Sequence, residues 1–176
     1  MTTEIRIYGD SVLRRVADPL RNIDAGTKKI AEKMVEAMIR ANGVGLAAPQ
    51  IGVSERIIVL DLDGQFHILV NPEIIETSSE AEEAVEGCLS VPGVDAEVTR
   101  RVQVRVRGVT LDEKEIDIEG EGLMARAIQH EIDHLNGILF IDHLGPARKR
   151  SIISEYRRRQ KEKKEKEKEK EKEKDE

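Results

Sequence analysis

Apolar residues recur at helical spacing in two stretches of this chain and cluster in short β-branched runs in four others. Between Asp24 and Asn42, Ile30, Met34, Met38 and Ala41 fall on one face, with Lys and Glu between them and Gly43 behind as a stop. That pattern predicts an amphipathic helix. After Gly52 the period changes: Arg56 to Leu60, Phe66 to Val70, Val102 to Arg107 and Ile116 to Ile118 each read as a strand. Asp63-Gly64 between the first two suits a tight hairpin turn. From Leu123 to Asn136 helical spacing returns, with Met124, Ile128, Leu135 and Leu139 along one side and Gly137 as terminator.

Beyond Lys161 the chain becomes alternating Lys and Glu with no apolar face to bury. Strict alternation makes i,i+4 pairs like-charged and i,i+3 pairs opposite, so the pair energies largely cancel. The run is expected to be disordered or a marginal extension of a helix over Ile152 to Arg159. Net charge is -6, but Arg157 to the end holds 11 basic and 8 acidic residues, which leaves a body near -9 and a tail near +3. An acidic body is a poor nucleic-acid binder. The 176 residues fit one domain. With 2% aromatic residues and no Trp, its core must come from aliphatic side chains and Met. Neither a secretory signal nor a membrane span is legible, and a lone cysteine, Cys88, excludes an internal disulfide, so a reducing cytoplasmic setting is expected.

The chemistry concentrates in the second helix, at His130-Glu131-Ile132-Asp133-His134. Two His at i and i+4 lie one above the other, roughly 6 Å apart, so both imidazoles reach one metal ion while Glu131 reaches its water. Such a site takes a third protein ligand and leaves one position open. A His six residues after the second would serve, but Phe140 stands there and cannot bind. Glu155 has roughly the spacing of a zinc endopeptidase's downstream glutamate. Cys88, in Glu86-Gly87-Cys88-Leu89-Ser90, is the other option, although a lone Cys is often just a small buried hydrophobe. A third cluster, Gly43 to Gln50, packs two Gly and two Ala into a segment that another backbone or a substrate can approach closely. Gln50 there can offer an amide N–H to a polarised oxygen.

Taken together, Gly43 to Gln50, Glu86 to Ser90 and His130 to His134 resemble, in this order, the three signature motifs of bacterial peptide deformylases. Ile7 to Asp10, Val12 to Arg14 and Asn71-Pro72-Glu73, taken as lying between strands, extend the likeness over Arg6 to Asp142. The resemblance implies a metal-dependent hydrolase that removes the formyl group from the amino-terminal methionine of nascent chains, releasing formate. It implies that Cys88, His130 and His134 bind the metal, iron(II) by preference with zinc, nickel or cobalt able to replace it. It further implies Glu131 as general acid/base, and Gln50 with the Leu89 backbone N–H as donors to the oxyanion. A methionine pocket would come from Gly43, Val44, Gly45, Leu123, Ala127 and the His130 ring, and Glu86 would pair with Arg100 behind the cysteine loop.

Two residues depart from many relatives. Arg126 stands where an apolar residue is common, so its stem would line the pocket with the charge in solvent, or the pocket would be altered. Asp95 stands where some relatives carry a basic residue. His67 and His143 read as ordinary polar residues.

The expected fold is α+β, with antiparallel strands wrapped around a central metal-binding helix and a C-terminal helix. Its expected parts are a catalytic domain over 1–147, a basic helix over 148–160 and the Lys/Glu tail over 161–176. The rival function is a zinc endopeptidase using Glu155; a non-catalytic module is disfavoured because it has no need of Glu131. Expected partners are formylated nascent peptides, and the ribosome through the basic stretch from Arg148 to Lys164.

Overall fold

The computed structural model describes residues 2–62 and 64–174. Helix α1 spans Ala25–Arg40 and opens on a reciprocal cap: Asp24 Oδ1 accepts from Thr27 N at 2.9 Å, and Thr27 Oγ1 accepts from Asp24 N at 3.3 Å. Asn42, not Gly43, takes the left-handed residue that ends it, with φ 53°. Strands β1 (Gly45–Ala47), β2 (Ile57–Leu62), β3 (Gln65–Thr77), β6 (Gln103–Val109) and β7 (Glu115–Glu121) form one antiparallel sheet in the order β1-β2-β3-β6-β7. β4 (Ala81–Cys88) and β5 (Val91–Arg101) form a separate antiparallel hairpin. Helix α2 spans Leu123–Leu135, and α3 spans Pro146–Lys174.

Why the sheet sits where it does is clearest at β2. Ile58 and Leu60 face α2 in a cluster with Leu69, Val106, Ile128 and Leu135, whereas Ile57 and Val59 face α1 in a cluster with Met34, Met38, Leu46 and Val70. Covered on both sides, β2 reads as a continuous apolar run rather than an alternating one. Each fully buried Ile or Leu in it contributes about 1.5–3 kcal/mol. The hairpin builds a third cluster: Val91, Val94, Ala96 and Val98 pack on Leu139, Phe140, Ile141 and, from α3, Ile152 and Tyr156. Thus α2 lies between the sheet and the hairpin.

The predicted class holds, with corrections in detail. Asn71-Pro72-Glu73 lies inside β3 at a register shift, not between strands. Asn71 is at φ 51°, and its side chain bonds both the N–H and the C=O of Leu20. The hairpin turn after β2 includes Asp63, which lies outside the described residues; Gly64 beside it is left-handed at φ 80°. Helix α3 runs through residue 147 without a break, and its Ile152 and Tyr156, 1% and 4% exposed, pack into the core. The Lys/Glu run is helical through Lys174. The doubled Lys163-Lys164 shifts the alternation by one, which creates opposite i,i+4 pairs at Lys161–Glu165 and Lys163–Glu167. Among the described residues no helix is long and apolar enough to cross a membrane.

Asp142 ties the segment after α2 to α3 and to the distant Arg14. It pairs with Arg14 and with Lys149 Nζ at 2.7 Å, and accepts the Leu139 N–H at 2.9 Å. Burial pushes its carboxyl up, but these partners outweigh burial and hold it at about 2, below the usual 3.8. Its stabilisation is therefore complete above about pH 4 and is lost as pH falls through about 2. Asp142→Asn is expected to cost about 1 kcal/mol at pH 7, discounted for solvent around Arg14. In thermal unfolding the gap from the parent should close between pH 4 and pH 2; a gap independent of pH would show that charge is not what matters there.

Candidate metal centre

Helix α2 ends in a tight cap that fixes where its last turn stops. Gly137, at φ 72°, donates to His134 O, and Ile138 N donates to Asp133 O. A Cβ on Gly137 would lie 2.7 Å from Arg14 O, so no other residue fits there without backbone movement. On the inner face of this helix His130 and His134 stand one turn apart, with ring centroids 5.0 Å apart. Phe140, which cannot coordinate, stacks on the His130 ring at 6.5 Å. The end of β4 brings in the third group: Cys88 Sγ lies 3.3 Å from His134 Nε2 and accepts the Ser90 N–H at 3.4 Å.

One ligand atom from each of Cys88, His130 and His134 lies within 4.8 Å of the others, a cluster among the described residues that could hold a metal ion. A tetrahedral ion with the usual bond lengths separates its ligand atoms by roughly 3.5 Å, so the set fits a divalent metal with small adjustment. Glu155, the alternative third ligand, is instead paired with Arg159 on α3 at 2.6 Å. His67 sits on β3 opposite Leu60 and is not among the three clustered donors.

Electrostatics prepare the donors. His130 Nδ1 is 2.9 Å from Glu86 Oε2, which leaves Nε2 for a metal. Burial would raise the Glu86 carboxyl, but hydrogen bonds from His130 and Arg100 outweigh it and hold it at about 2. Burial drives His134 well below the ordinary imidazole value, so it is neutral with a free lone pair. The Glu86–Arg100 pair is no surface contact: both side chains are 5% exposed, and two parallel bonds of 2.8 and 3.0 Å join them.

Glu131 points the other way, into a cleft of about 720 Å³. It is 4% exposed, and its Oε2 has no hydrogen-bond partner among the described residues. Burial pushes its carboxyl up to about 7. Gln50 is fixed by Ala47 N, which donates to Oε1 at 2.9 Å, so that Nε2 faces Ser90 Oγ at 3.1 Å and Cys88 Sγ at 3.8 Å. Gly43, Val44, Leu89, Leu123 and Ala127 line the same cleft. Val44 and Leu123 are 54% and 72% exposed, apolar lips with nothing packed on them.

The polypeptide deformylase family profile matches residues 2–150, a span that contains every residue of this centre. The chain belongs to the polypeptide deformylase family. It is 51% identical over 140 residues to the peptide deformylase of Natranaerobius thermophilus, covering 79% of this chain and 90% of that one. Identity to the Halothermothrix orenii peptide deformylase is 55% over 141 residues, 79% and 91% of the two chains. The crystal structure of a peptide deformylase from Legionella pneumophila superposes with a TM-score of 0.89 at 38% identity, covering 93% of this chain and 98% of that one. The chain thus belongs to a family of metalloenzymes, and Cys88, His130 and His134 form a cluster that could hold a metal ion.

Several contributors to the site escaped the sequence reading. Arg126 does not send its charge to solvent: it is 9% exposed, and its guanidinium bonds Glu86, Glu82 O and Val98 O. His143 is polar as expected but belongs to the network, 2.7 Å from Asp133 Oδ2, which in turn accepts from Arg100. The hairpin strands β4 and β5 were also missed. Their signal was present, since Val94, Ala96, Val98 and Arg100 point inward while Asp95, Glu97, Thr99 and Arg101 alternate outward. Asp95 lies exposed on the cleft rim.

Gly45 is explained by the Glu131 carboxylate beside it. A Cβ there would fall 2.6 Å from Glu131 Oε1 and 3.0 Å from its Cδ. Gly45→Ala should push the Glu131 carboxylate aside and lower kcat by about 10²-fold, the lower range for a displaced general base, with metal content unchanged. Parent-like kcat in the variant would show that Glu131 does not need its present position.

Proposed function

We propose that this centre removes the formyl group from N-formylmethionyl nascent peptides, with Glu131 as general acid/base and Gln50 and the Leu89 N–H as oxyanion donors. The observation that carries the reading is the buried, unpartnered Glu131 Oε2 facing the cleft beside the three donors. Cys88, His130 and His134 would hold a divalent cation, which would supply Lewis acidity at the reacting centre. Iron(II) is the proposed ion; zinc, nickel and cobalt suit the same donors.

Glu131, with its carboxyl near neutrality, accepts a proton from the attacking water as the water oxygen bonds to the formyl carbon. Gln50 Nε2 and the Leu89 N–H donate to the oxygen on which negative charge develops. Glu131 then returns its proton to the amide nitrogen, the C–N bond breaks, and formate and a free amino terminus leave. Cys88 serves as a ligand, so no acyl-enzyme forms. The methionine side chain lies against Gly43, Val44, Gly45, Leu123 and Ala127, where removal of apolar surface from water supplies binding energy.

Formate release from a formyl-Met-Ala-Ser peptide, using protein purified without oxygen, tests the assignment. Glu131→Ala is expected to reduce kcat by at least about 10²-fold while the metal remains bound. Absence of release from fully iron- or nickel-loaded parent protein would overturn the deformylase reading.

The proposed workplace is the cytoplasm, at the ribosome. Arg148, Arg150, Arg157 and Arg158 are exposed along α3, and Lys161, Lys163 and Lys164 continue the stretch. Because Ile152 and Tyr156 belong to the core, the useful truncation ends at Gln160 and is combined with Arg157→Gln and Arg158→Gln. Cosedimentation of this variant with ribosomes should weaken, with a shallower salt dependence than the parent. Equal cosedimentation would remove the ribosome proposal and leave the deformylase assignment untouched.

A further inference from the structure

We propose that Arg126 is a positioning residue for the metal centre, locking the hairpin that carries Cys88 and Glu86 onto the helix that carries His130 and His134. The inference rests on the assignment of those three residues as metal ligands.

A guanidinium that is 9% exposed has lost most of its hydration, and such a loss persists only where good acceptors replace the water. Arg126 has three. Nη1 donates to Glu86 Oε1 at 2.9 Å and to Val98 O at 2.7 Å, and Nη2 donates to Glu82 O at 2.8 Å. Glu82 lies on β4 and Val98 on β5, so one planar group bridges both strands of the hairpin from α2.

The link to the metal ligands is direct. Arg126 and His130 are four residues apart on α2 and therefore share a face. They reach the same carboxylate, Arg126 at Oε1 and His130 Nδ1 at Oε2. Arg100 fills the remaining positions, Nε on Oε1 and Nη2 on Oε2, so Glu86 meets four donors, the full capacity of a carboxylate. Its orientation, and through it that of the His130 ring, is over-determined.

Cys88 lies two residues beyond Glu86 on the same strand. A shift of the hairpin along α2 would change the 3.3 Å spacing between Cys88 Sγ and His134 Nε2. Metal–ligand bonds tolerate only about 0.2 Å, so a small slip is enough to weaken the site. The other side-chain ties between α2 and the hairpin include the Gln129 amide with the Arg101 backbone and Arg100 with Asp133. Gln129 engages an exposed residue and touches no metal-bearing group.

The experiment compares Arg126→Met and Arg126→Lys with the parent. It measures cobalt(II) dissociation constants by chelator competition, the thiolate-to-cobalt absorption band and KM. Arg126→Met should bind cobalt about tenfold more weakly, as removal of an outer contact to a ligand typically does, with a shifted band. Arg126→Lys should fall between the two, nearer Met, because a single ammonium cannot span the three acceptors. If Arg126→Met does not fold, the Lys variant carries the test. Cobalt affinity within twofold of the parent and an unchanged band overturn the proposal, whether the variant shows only a lower Tm or only a raised KM. A parent protein that binds cobalt without a thiolate band would instead sink the ligand assignment itself, and this inference with it.

Discussion

Four hydrogen-bond donors from two elements, β5 and α2, converge on the Glu86 carboxylate, and the centre's geometry depends on that meeting. Two buried arginines would be costly alone, and so would a buried glutamate; together they neutralise one another in a place that water does not reach. The consequence is rigidity rather than stability for its own sake. Cys88 and the two histidines lie more than 40 residues apart in sequence, yet their ligand atoms stand within 4.8 Å of one another. Asp133 extends the same network to His143, so the paired charges run from the ligand loop to the segment that follows α2.

A second constraint acts on the opposite side of α2. The helix is amphipathic in two directions: Ala125, Ile128 and Leu135 press on the sheet, whereas Arg126 and His130 face the hairpin. Glu131 is a polar residue among buried surroundings, aimed at the cleft, and the absence of a Cβ on Gly45 makes its position possible. The same burial that raises its pKa to about 7 removes the competing water that would otherwise satisfy it. A tight contact between β1 and α2 therefore keeps the Glu131 carboxyl buried.

Local patterns accounted for much of this. Helical spacing marked α1 and α2, β-branched runs marked the centres of four strands, and the His-Glu-x-x-His spacing placed two imidazoles and a carboxylate on one helix. Those signals are short-range, set by which residues lie a turn or a pleat apart. The β4–β5 alternation was equally local and legible, but its charged outward face and its short inward side chains, Ala84 and Ala96, obscured it.

Tertiary structure decided the rest, because the deciding contacts join segments that no periodicity relates. The residues alone left Cys88 and Glu155 open as third ligand, and only packing put Cys88 at 3.3 Å from His134 while turning Glu155 to Arg159. Arg126 carried no sequence sign of burial; its acceptors are two strand carbonyls and a glutamate 40 residues earlier. The sequence by itself determined the helices, the centres of four strands and the spacing of His130, Glu131 and His134, which depend on neighbours along the chain. What holds the cysteine to them is long-range charge pairing in a low-dielectric interior, and that exists only once the chain has folded.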